Sequence, residues 1–421
     1  MIEDIIKELK QNKIKDYEIF YSKNDSTSID TDKTNFNKKE HDYETGYGLR
    51  ILKNNRIGFV FFSDKKHIKS SIQTAIQISK IRPALKGFNF YNINPKMRVK
   101  TYDKKILNLT ENEMKETIQN MLNKIKTTPI SCMLIKNISD INIINSEGLE
   151  CSQKETSLIA HAYCSNQGQT GSDYYESYKY DINSILKTAS SASIKSNQKS
   201  KTIPSCKLPV ILQNDALIEL IDNLILTQMT GEKKYYKSSY LIGKENKIIA
   251  SDLLTLYEDP FSEAYSKTNF DGEGIEDDIS VLINKGKFTG FVYDKETGAL
   301  DKSLKFGFCS RSNYKSRPKI GFSNIHIKPG KDKNLEELNK NYIVIDELFG
   351  FHTANPTTGD FSLTIGGGYI FKNNKKQYIQ GNILSGNIYS LLKNIQNIES
   401  SVKMRGSYVL PRILIKELTI S

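Results

Sequence analysis

Hydrophobic and polar residues alternate with a period of two along much of the chain up to Tyr180, which is typical of half-buried β-strands. The segment 46–63 contains the turn Lys53-Asn54-Asn55 between two β-prone runs, a pattern that indicates a hairpin. The turn Asn145-Ser146-Glu147-Gly148 indicates a meander. The segments for which we predict strands in this part are 17–22, 26–36, 46–63, 132–135, 141–144 and 158–164.

Apolar residues recur at helical spacing in five places. The hydroxyl of Thr110 and the carboxylate of Glu113 have the spacing of a capping box. Asn214 and Asn387 are predicted to cap the helices that follow them, because a short side-chain oxygen accepts from free backbone N–H groups. The predicted helices are 1–13, 65–81, one beginning at Thr110, one beginning at Asn214, and 387–398.

After residue 270 the chain is strand-rich and punctuated by glycine. Turns are predicted at Lys285-Gly286-Lys287 and Asn373-Asn374, and Pro411 interrupts the last β-prone run. Grouped strands without regular strand–helix alternation favour an α+β fold with a large antiparallel element. The predicted strands are 279–284, 288–293, 342–348, 361–371, 377–383 and 408–420.

The polar segment 195–205 has the composition of a linker. It predicts an N-terminal α/β domain with an antiparallel sheet over 1–204, with an optional division into subdomains of about 1–100 and 101–204. A C-terminal domain over 205–421 is predicted to be dominated by a large antiparallel β-structure with a few helices.

Composition narrows the function classes. A hydrophobic share of 38% excludes wholesale disorder. The N-terminus lacks the basic and apolar regions of a secretory signal, and no apolar run approaches about 20 residues, so we expect a cytoplasmic protein without a membrane partner. The net charge of +12 comes from evenly spread lysines without a nucleic-acid-binding motif. This pattern favours a solvated surface over a nucleic-acid footprint.

The five cysteines are dispersed and never form a CxxC pair, so we predict free thiols and no disulfide framework or zinc site built from neighbouring cysteines. The five histidines are also far apart in sequence. His352 lies between Glu347 and Asp360 and is the leading candidate for a metal ligand among them.

Several motifs occur in an order that resembles one known family. They are Gly46-x-Gly48-x-Arg50, Arg56-x-Gly58-Phe59, Asn145-Ser146-x-Gly148, Leu208-Pro209-Val210-Ile211, Glu258-Asp259-Pro260, Phe270-Asp271-Gly272-Glu273-Gly274, Glu347-Leu348-Phe349-Gly350, Thr358-Gly359-Asp360-Phe361-Ser362, Ser385-Gly386-Asn387 with Leu391-Leu392-x-Asn394-Ile395, and Pro411. Together they resemble the TldD/TldE (PmbA) metallopeptidases over essentially the whole chain.

The resemblance implies a metal site in one branch of that family. In the TldD branch, a helix carries His-Glu-x-x-x-His, and a cysteine near the C-terminus adds a ligand. The corresponding stretch here is Gln213-Asn214-Asp215-Ala216-Leu217-Ile218-Glu219, and Met404-Arg405-Gly406 lies in the cysteine's neighbourhood. The chain therefore resembles the TldE/PmbA branch, and we expect no catalytic residue, metal or cofactor in it. Zinc is expected in a TldD-type partner.

Residues around the glycine turns are candidates for shaping a substrate groove. Asp271 and Glu273 are also paired acids, although acids beside a tight turn more often hold the loop in shape. The full set of candidates is Asp271, Glu273, Gly274, His352, Gly359, Asp360, Phe361, Ser362, Gly386 and Asn387.

The resemblance implies a subunit that forms a heterodimer with a TldD-type metallopeptidase and presents extended, unfolded peptides to it. One alternative is a self-sufficient homodimeric peptidase with unconventional ligands, for example His352 and Asp360. The other is a non-enzymatic protein- or nucleic-acid-binding modulator, in keeping with the family's older label of gyrase modulator.

Overall fold

The computed structural model describes residues 1–303 and 305–421. Its α-helices are α1 Ile2–Gln11, α2 Ile68–Ile81, α3 Lys104–Asn108, α4 Glu111–Lys124, α5 Ile182–Ser196, α6 Asn214–Leu224, α7 Gly231–Tyr235, α8 Lys295–Asp301 and α9 Ile388–Lys393. Short 3₁₀ helices span Lys65–His67, Leu226–Met229, Leu335–Leu338 and Phe351–Thr353.

The strands account for most of the regular structure. They are β1 Asp16–Asp32, β2 Asn35–Lys53, β3 Arg56–Phe62, β4 Thr128–Asn145, β5 Glu150–Asn166, β6 Gln169–Ser177, β7 Cys206–Leu212, β8 Leu256–Glu258, β9 Ser280–Asn284, β10 Lys287–Phe288, β11 Cys309–Ser310, β12 Lys319–Ile320, β13 Ile325–Ile327, β14 Tyr342–Phe349, β15 Asp360–Lys372, β16 Lys375–Ile379, β17 Ile383–Asn387, β18 Ile395–Ile398, β19 Lys403–Arg405, β20 Tyr408–Leu410 and β21 Ile413–Ile420. The mixture of helices and largely antiparallel sheets confirms the predicted α+β class.

The chain forms two compact units, and each is built from more than one stretch of sequence. The first comprises 1–197, 265–278 and 292–322; the second comprises 198–264, 279–291 and 323–421. The predicted domain division at residue 205 stays a prediction. The end of α5 at Ser196 and the start of β7 at Cys206 flank the proposed linker.

The first unit is built on a six-stranded antiparallel sheet in the order β3-β2-β1-β4-β5-β6. Because neighbouring residues of a strand point to opposite faces, β1 contributes to two cores. Ile19 packs with α1 and α2 on one face. Phe20 packs on the other face against Phe270 and Tyr314, which belong to the later segments of the unit.

The second unit contains two further sheets. One has the order β10-β9-β8-β13-β20-β19, with a parallel pairing between β13 and β20. The other closes on itself, because the pairings run β14-β7-β21-β17-β15 and β15 also pairs with β14. β16 extends this ring from β15, and β18 pairs with β21.

Most locally encoded elements match their predictions. The hairpin between β2 and β3 turns at Asn54 and Asn55, which both have positive φ angles of 52° and 58°. The Thr110–Glu113 capping box is present in full. The turns at Lys285-Gly286 and Asn373-Asn374 also have positive φ angles.

Five local predictions were wrong. The predicted strand 26–36 crosses the turn between β1 and β2, and the predicted strand 377–383 crosses the loop between β16 and β17. Asn214 is already the first residue of α6, and its side-chain amide donates to the carbonyl of Leu410 at 2.6 Å instead of capping the helix. The helix predicted over 387–398 ends at Lys393, because residues 395–398 pair with β21 as β18. The strand predicted over 288–293 ends at Phe288.

Among the described residues, no helix combines the length and the apolarity required to cross a membrane.

Candidate functional site

A buried cluster of charged residues lies within the first unit. Glu18 of β1 and Arg50 of β2 are directly opposite in the strand register. The Arg50 Nε donates to Glu18 Oε1 at 3.0 Å, and its Nη1 donates to Glu273 Oε1 at 2.7 Å. Arg311 forms a further ion pair with Glu18. All four side chains are about 1% exposed, so the ions are compensated by one another and not by solvent.

The acidic loop that supplies Glu273 is held by its own backbone. The Asp271 Oδ1 accepts from the N–H groups of Glu273 at 2.8 Å and Ile275 at 3.0 Å, which is a local Asx-type turn. Gly274 has a φ of +76°, and a Cβ there would lie 2.5 Å from Leu149 Cδ2. Only glycine fits this position without strain. Asp271 and Gly274 therefore stabilise the turn in this loop, and their part in a substrate groove stays a prediction.

Burial and neighbouring charges shift several proton affinities in this cluster. Burial alone would raise the pKa of Glu18, but the nearby Arg311 and Arg50 guanidinium groups outweigh it and lower the pKa. The pKa of Asp271 is raised well above its usual value by burial and by the adjacent Glu273 and Asp277. Asp271 Oδ2 has no hydrogen-bond partner among the described residues.

The thiol of Cys309 lies beside the same loop. The Gly272 N–H donates to the Cys309 carbonyl at 2.8 Å, which joins the loop to β11. Burial and the negative charges of Glu273 and Asp271 raise the pKa of the Cys309 thiol well above its usual value. The described parts of the chain contain one group of three or more potential metal-ligating side chains. Its members are Asp271, Glu273 and Cys309.

The stretch that corresponds to the metal-binding helix of TldD-type proteins lies at the start of α6, in the second unit. Both oxygens of Asp215 accept hydrogen bonds from the Arg405 guanidinium, at 2.8 Å from Nε and 3.1 Å from Nη2. Arg405 belongs to β19 and is 8% exposed. Both oxygens of this carboxylate are taken by one guanidinium, and the stretch 213–219 offers no thiolate or imidazole beside it. This is a poor donor set for zinc, which prefers thiolate and imidazole ligands. The residues present here do not fit the metal.

The remaining candidates in the second unit form a loop at the junction of β15 and β17. Asp360 and Asn387 are directly paired in the strand register, and the Asn387 Nδ2 donates to Asp360 Oδ1 at 2.8 Å. The Asn387 Oδ1 accepts from Tyr389 N–H and Ser390 N–H, which confirms it as the cap of α9. The side-chain hydrogen bonds that Asp360 accepts from Asn387 and Thr358 lower its pKa.

Close packing around this loop explains why positions 359 and 386 are glycine. Gly359 has a φ of +86°, and a Cβ at this position would lie 2.5 Å from the Tyr389 ring. The buried Phe361 ring covers Gly386, and the hydroxyls of Ser362 and Ser385 lie 3.3 Å apart across the strands. Six of the candidates, residues 359–362, 386 and 387, are therefore brought together. Their role in a substrate groove stays a prediction.

His352 is not among the residues that these hydrogen bonds and packing contacts join. It is an exposed residue of the 3₁₀ helix Phe351–Thr353. The two carboxylate oxygens of Asp360, its suggested co-ligand, already accept hydrogen bonds from Asn387 and Thr358.

Glu258 is a further buried acid of the second unit that sequence reasoning placed only in a motif. Burial raises its pKa to about 7, against the effect of hydrogen bonds from the Ser323 backbone and hydroxyl to Glu258 Oε1.

Comparison with known proteins gives two domain matches and full-length structural likenesses. Residues 205–421 match the PmbA/TldA metallopeptidase C-terminal domain, and residues 17–79 match PmbA/TldA metallopeptidase domain 1. An uncharacterized protein of Methanocaldococcus jannaschii is 25% identical over 95% of both chains. A metalloprotease PmbA homolog of Buchnera aphidicola (subsp. Baizongia pistaciae) is 24% identical over 67% of this chain and 66% of its own length.

Solved structures share the fold over the whole chain. TldE from Thermococcus kodakarensis has a TM-score of 0.86 at 20% identity, covering 100% of this chain and 99% of its own. A protein of Thermotoga maritima, named as a modulator of a DNA gyrase, has a TM-score of 0.87 at 21% identity with the same coverage. At these identities the likeness establishes the fold alone.

Proposed function

Because the chain belongs to the PmbA/TldD metallopeptidase family, we propose that it acts as a subunit of the TldE/PmbA type, without a catalytic metal at α6. In this proposal it binds a TldD-type metallopeptidase and helps to present extended, unfolded peptides to that partner's zinc.

The pairing of Asp215 with Arg405 carries the proposal. Zinc hydrolysis requires ligands that hold a metal ion, because the ion lowers the pKa of the water bound to it. At α6 one guanidinium instead occupies both oxygens of Asp215 and repels a cation. The pairing joins the two sequence regions, at α6 and at β19, in which the TldD branch is expected to hold its metal. The charge that a metal would balance is thus balanced by a side chain of the protein itself.

Peptide presentation is supported by the open sheet of the first unit. Within the described residues, β3 and β6 are the end strands of this sheet. An extended peptide that adds to a strand edge gains main-chain hydrogen bonds, which give affinity with little preference for sequence. This mode suits a protein that accepts many unfolded substrates.

The partner can be tested by affinity capture of the tagged full-length chain from its own cells, with identification of the bound proteins by mass spectrometry. We expect a PmbA/TldD-family protein that carries His-Glu-x-x-x-His, captured in equal amount and retained at high salt. Capture of only a second copy of this chain, in cells that express such a protein, would contradict the proposal.

A further inference from the structure

Three potential metal ligands converge in the first unit from two separate segments. Asp271 and Glu273 come from the acidic loop, and Cys309 comes from β11. One ligand atom from each lies within 4.8 Å of the other two. The residues are 7%, 1% and 7% exposed, so the arrangement is buried. It lies in a different unit from the α6 region.

The hydrogen bonds of these side chains leave lone pairs available to a cation. Asp271 uses only Oδ1 for backbone contacts, and its buried Oδ2 has no partner among the described residues. Such an oxygen is costly to bury unless something binds it. The Glu273 oxygens accept one hydrogen bond each, from Arg50 and from the Lys295 N–H, so each retains a second lone pair. Within the described part of the chain, the one hydrogen bond of the Cys309 sulfur is a long contact of 3.8 Å to the Ser310 carbonyl oxygen.

The electrostatics agree with this geometry. The cluster holds three buried acids, Glu18, Asp271 and Glu273, against the two guanidinium groups of Arg50 and Arg311. A divalent cation bound at Asp271, Glu273 and Cys309 offsets this excess of acids.

We propose that Asp271, Glu273 and Cys309 form a binding site for a divalent thiophilic cation of the zinc class. One sulfur and two carboxylate ligands suit zinc, whereas magnesium and calcium prefer oxygen alone. Zinc–ligand distances of about 2.0–2.3 Å place tetrahedral ligand atoms roughly 3.5 Å apart. The ligand atoms lie within 4.8 Å of one another, so they approach by up to about 1.3 Å on binding. Because the thiolate is the ligand form of cysteine, binding releases the Cys309 thiol proton.

The scaffold around the site is already fixed. The Gly272 N–H bond to the Cys309 carbonyl holds the loop against β11, and a Cβ at Gly272 would lie only 3.0–3.2 Å from Ser310 and Arg311 atoms. The cation would therefore cross-link two segments that already touch, which is a structural role for the metal.

Cobalt titration of the metal-free full-length protein tests the site, because thiolate coordination to Co²⁺ gives a near-ultraviolet charge-transfer band. We expect saturation at one equivalent and competition by zinc. Cys309→Ser should abolish the band and weaken binding by at least about 100-fold, since even second-shell changes cost 10–100-fold. Asp271→Asn should weaken binding with the band retained.

Two matched variants locate the thiol. Cys206→Ser changes a half-exposed cysteine of the second unit and should leave the titration unchanged. Cys151 is another buried cysteine of the first unit, so a band lost in Cys151→Ser but kept in Cys309→Ser would overturn the assignment.

X-ray absorption of the zinc-loaded wild-type protein keeps the proposal testable if Cys309→Ser does not fold. One sulfur at about 2.3 Å with oxygen ligands at about 2.0–2.2 Å supports it. A first shell without sulfur, or no stoichiometric binding, contradicts it. Metal binding without peptide hydrolysis leaves the proposed function intact, whereas hydrolysis that disappears in Cys309→Ser would support the site and overturn the proposed function.

Discussion

At the scale of single residues, the stability of the first unit depends on a buried arginine that forms ion pairs with two acids. Arg50 neutralises Glu18 and Glu273 in a space that water does not reach. The Phe90 ring lies 5.5 Å from its guanidinium carbon. Removing one member of such a pair is far costlier than the net worth of the pair, because the remaining charge stays buried.

Arg50→Met should therefore destabilise the first unit by about 3–5 kcal/mol, since the buried Glu273 loses its guanidinium partner and Glu18 is left with Arg311. The measurement is thermal or urea unfolding followed by circular dichroism. Lys65→Met is the control, because Lys65 pairs with Asp4 on the exposed surface and its loss should leave the unfolding midpoint unchanged. Equal effects of the two substitutions would contradict the role given to Arg50.

Glu258 gives the second unit a pH-dependent stability. Its pKa of about 7 in the folded protein exceeds the ordinary value of 4.5, so the folded state binds more protons between these values. Stability then decreases as the pH rises from about 4.5 to 7, by on the order of 3 kcal/mol.

Glu258→Gln keeps an oxygen that can accept from Ser323 and removes the charge. We expect the variant to match the wild type near pH 5 and to exceed its unfolding free energy at pH 8. The control is Glu417→Gln, which changes an exposed glutamate of the same unit. A variant that is less stable by the same amount at both pH values would refute the assignment.

The sequence pointed to part of the candidate site at this scale. The glycine-bounded acids Asp271 and Glu273 were visible as a local motif. The sequence did not indicate the ion pairs of the cluster, because their members are far apart along the chain. Arg50 is separated from Glu273 by 223 positions, and Glu18 from Arg311 by 293. The Gly46-x-Gly48-x-Arg50 motif was the only signal for Arg50. Nothing in the spacing of Cys309 marked it as a neighbour of the acids.

At the scale of elements, local signals were reliable where the chain's own neighbours decide the structure. The Asn54-Asn55 turn and the Thr110–Glu113 cap depend on residues within four positions of each other. The helix predicted over 387–398 failed because the backbone of residues 395–398 pairs with β21, a distant strand. Its apolar residues Ile395 and Ile398 are buried, as a helix would also require, so the pattern alone could not distinguish the two.

The later segments 265–278 and 292–322 complete the first unit. Without them, Phe20, Ile143, Leu149 and Cys151 would lose the cover of Phe270 and Tyr314. Glu18 would lose Arg311, and Arg50 would lose Glu273.

We therefore expect a fragment of residues 1–204 to lack a stable fold, although it contains the complete six-stranded sheet. Hydrogen exchange should be fast in β1 and β4 of the fragment and slow in the full chain, and the fragment should bind hydrophobic dyes. A fragment with full-length protection in these strands would show that the later segments are dispensable.

At the scale of the whole molecule, family membership and the Asp215–Arg405 ion pair at α6 lead to different expectations about hydrolysis. The family implies metallopeptidase chemistry, whereas Asp215 and Arg405 pair with each other where that chemistry would need a metal. We resolve the difference by assigning hydrolysis to a partner. A zinc ion at Asp271, Glu273 and Cys309 would not alter that assignment, because its role there is structural.

Peptide hydrolysis measured with and without a TldD-type subunit tests this account most directly. The purified chain, supplied with zinc, is incubated with a library of unfolded peptides, and cleavage is followed by mass spectrometry before and after addition of the partner. We predict no cleavage above background by the chain alone, and chelator-sensitive cleavage once the partner is present. Chelator-sensitive cleavage by the chain alone would contradict the central claim.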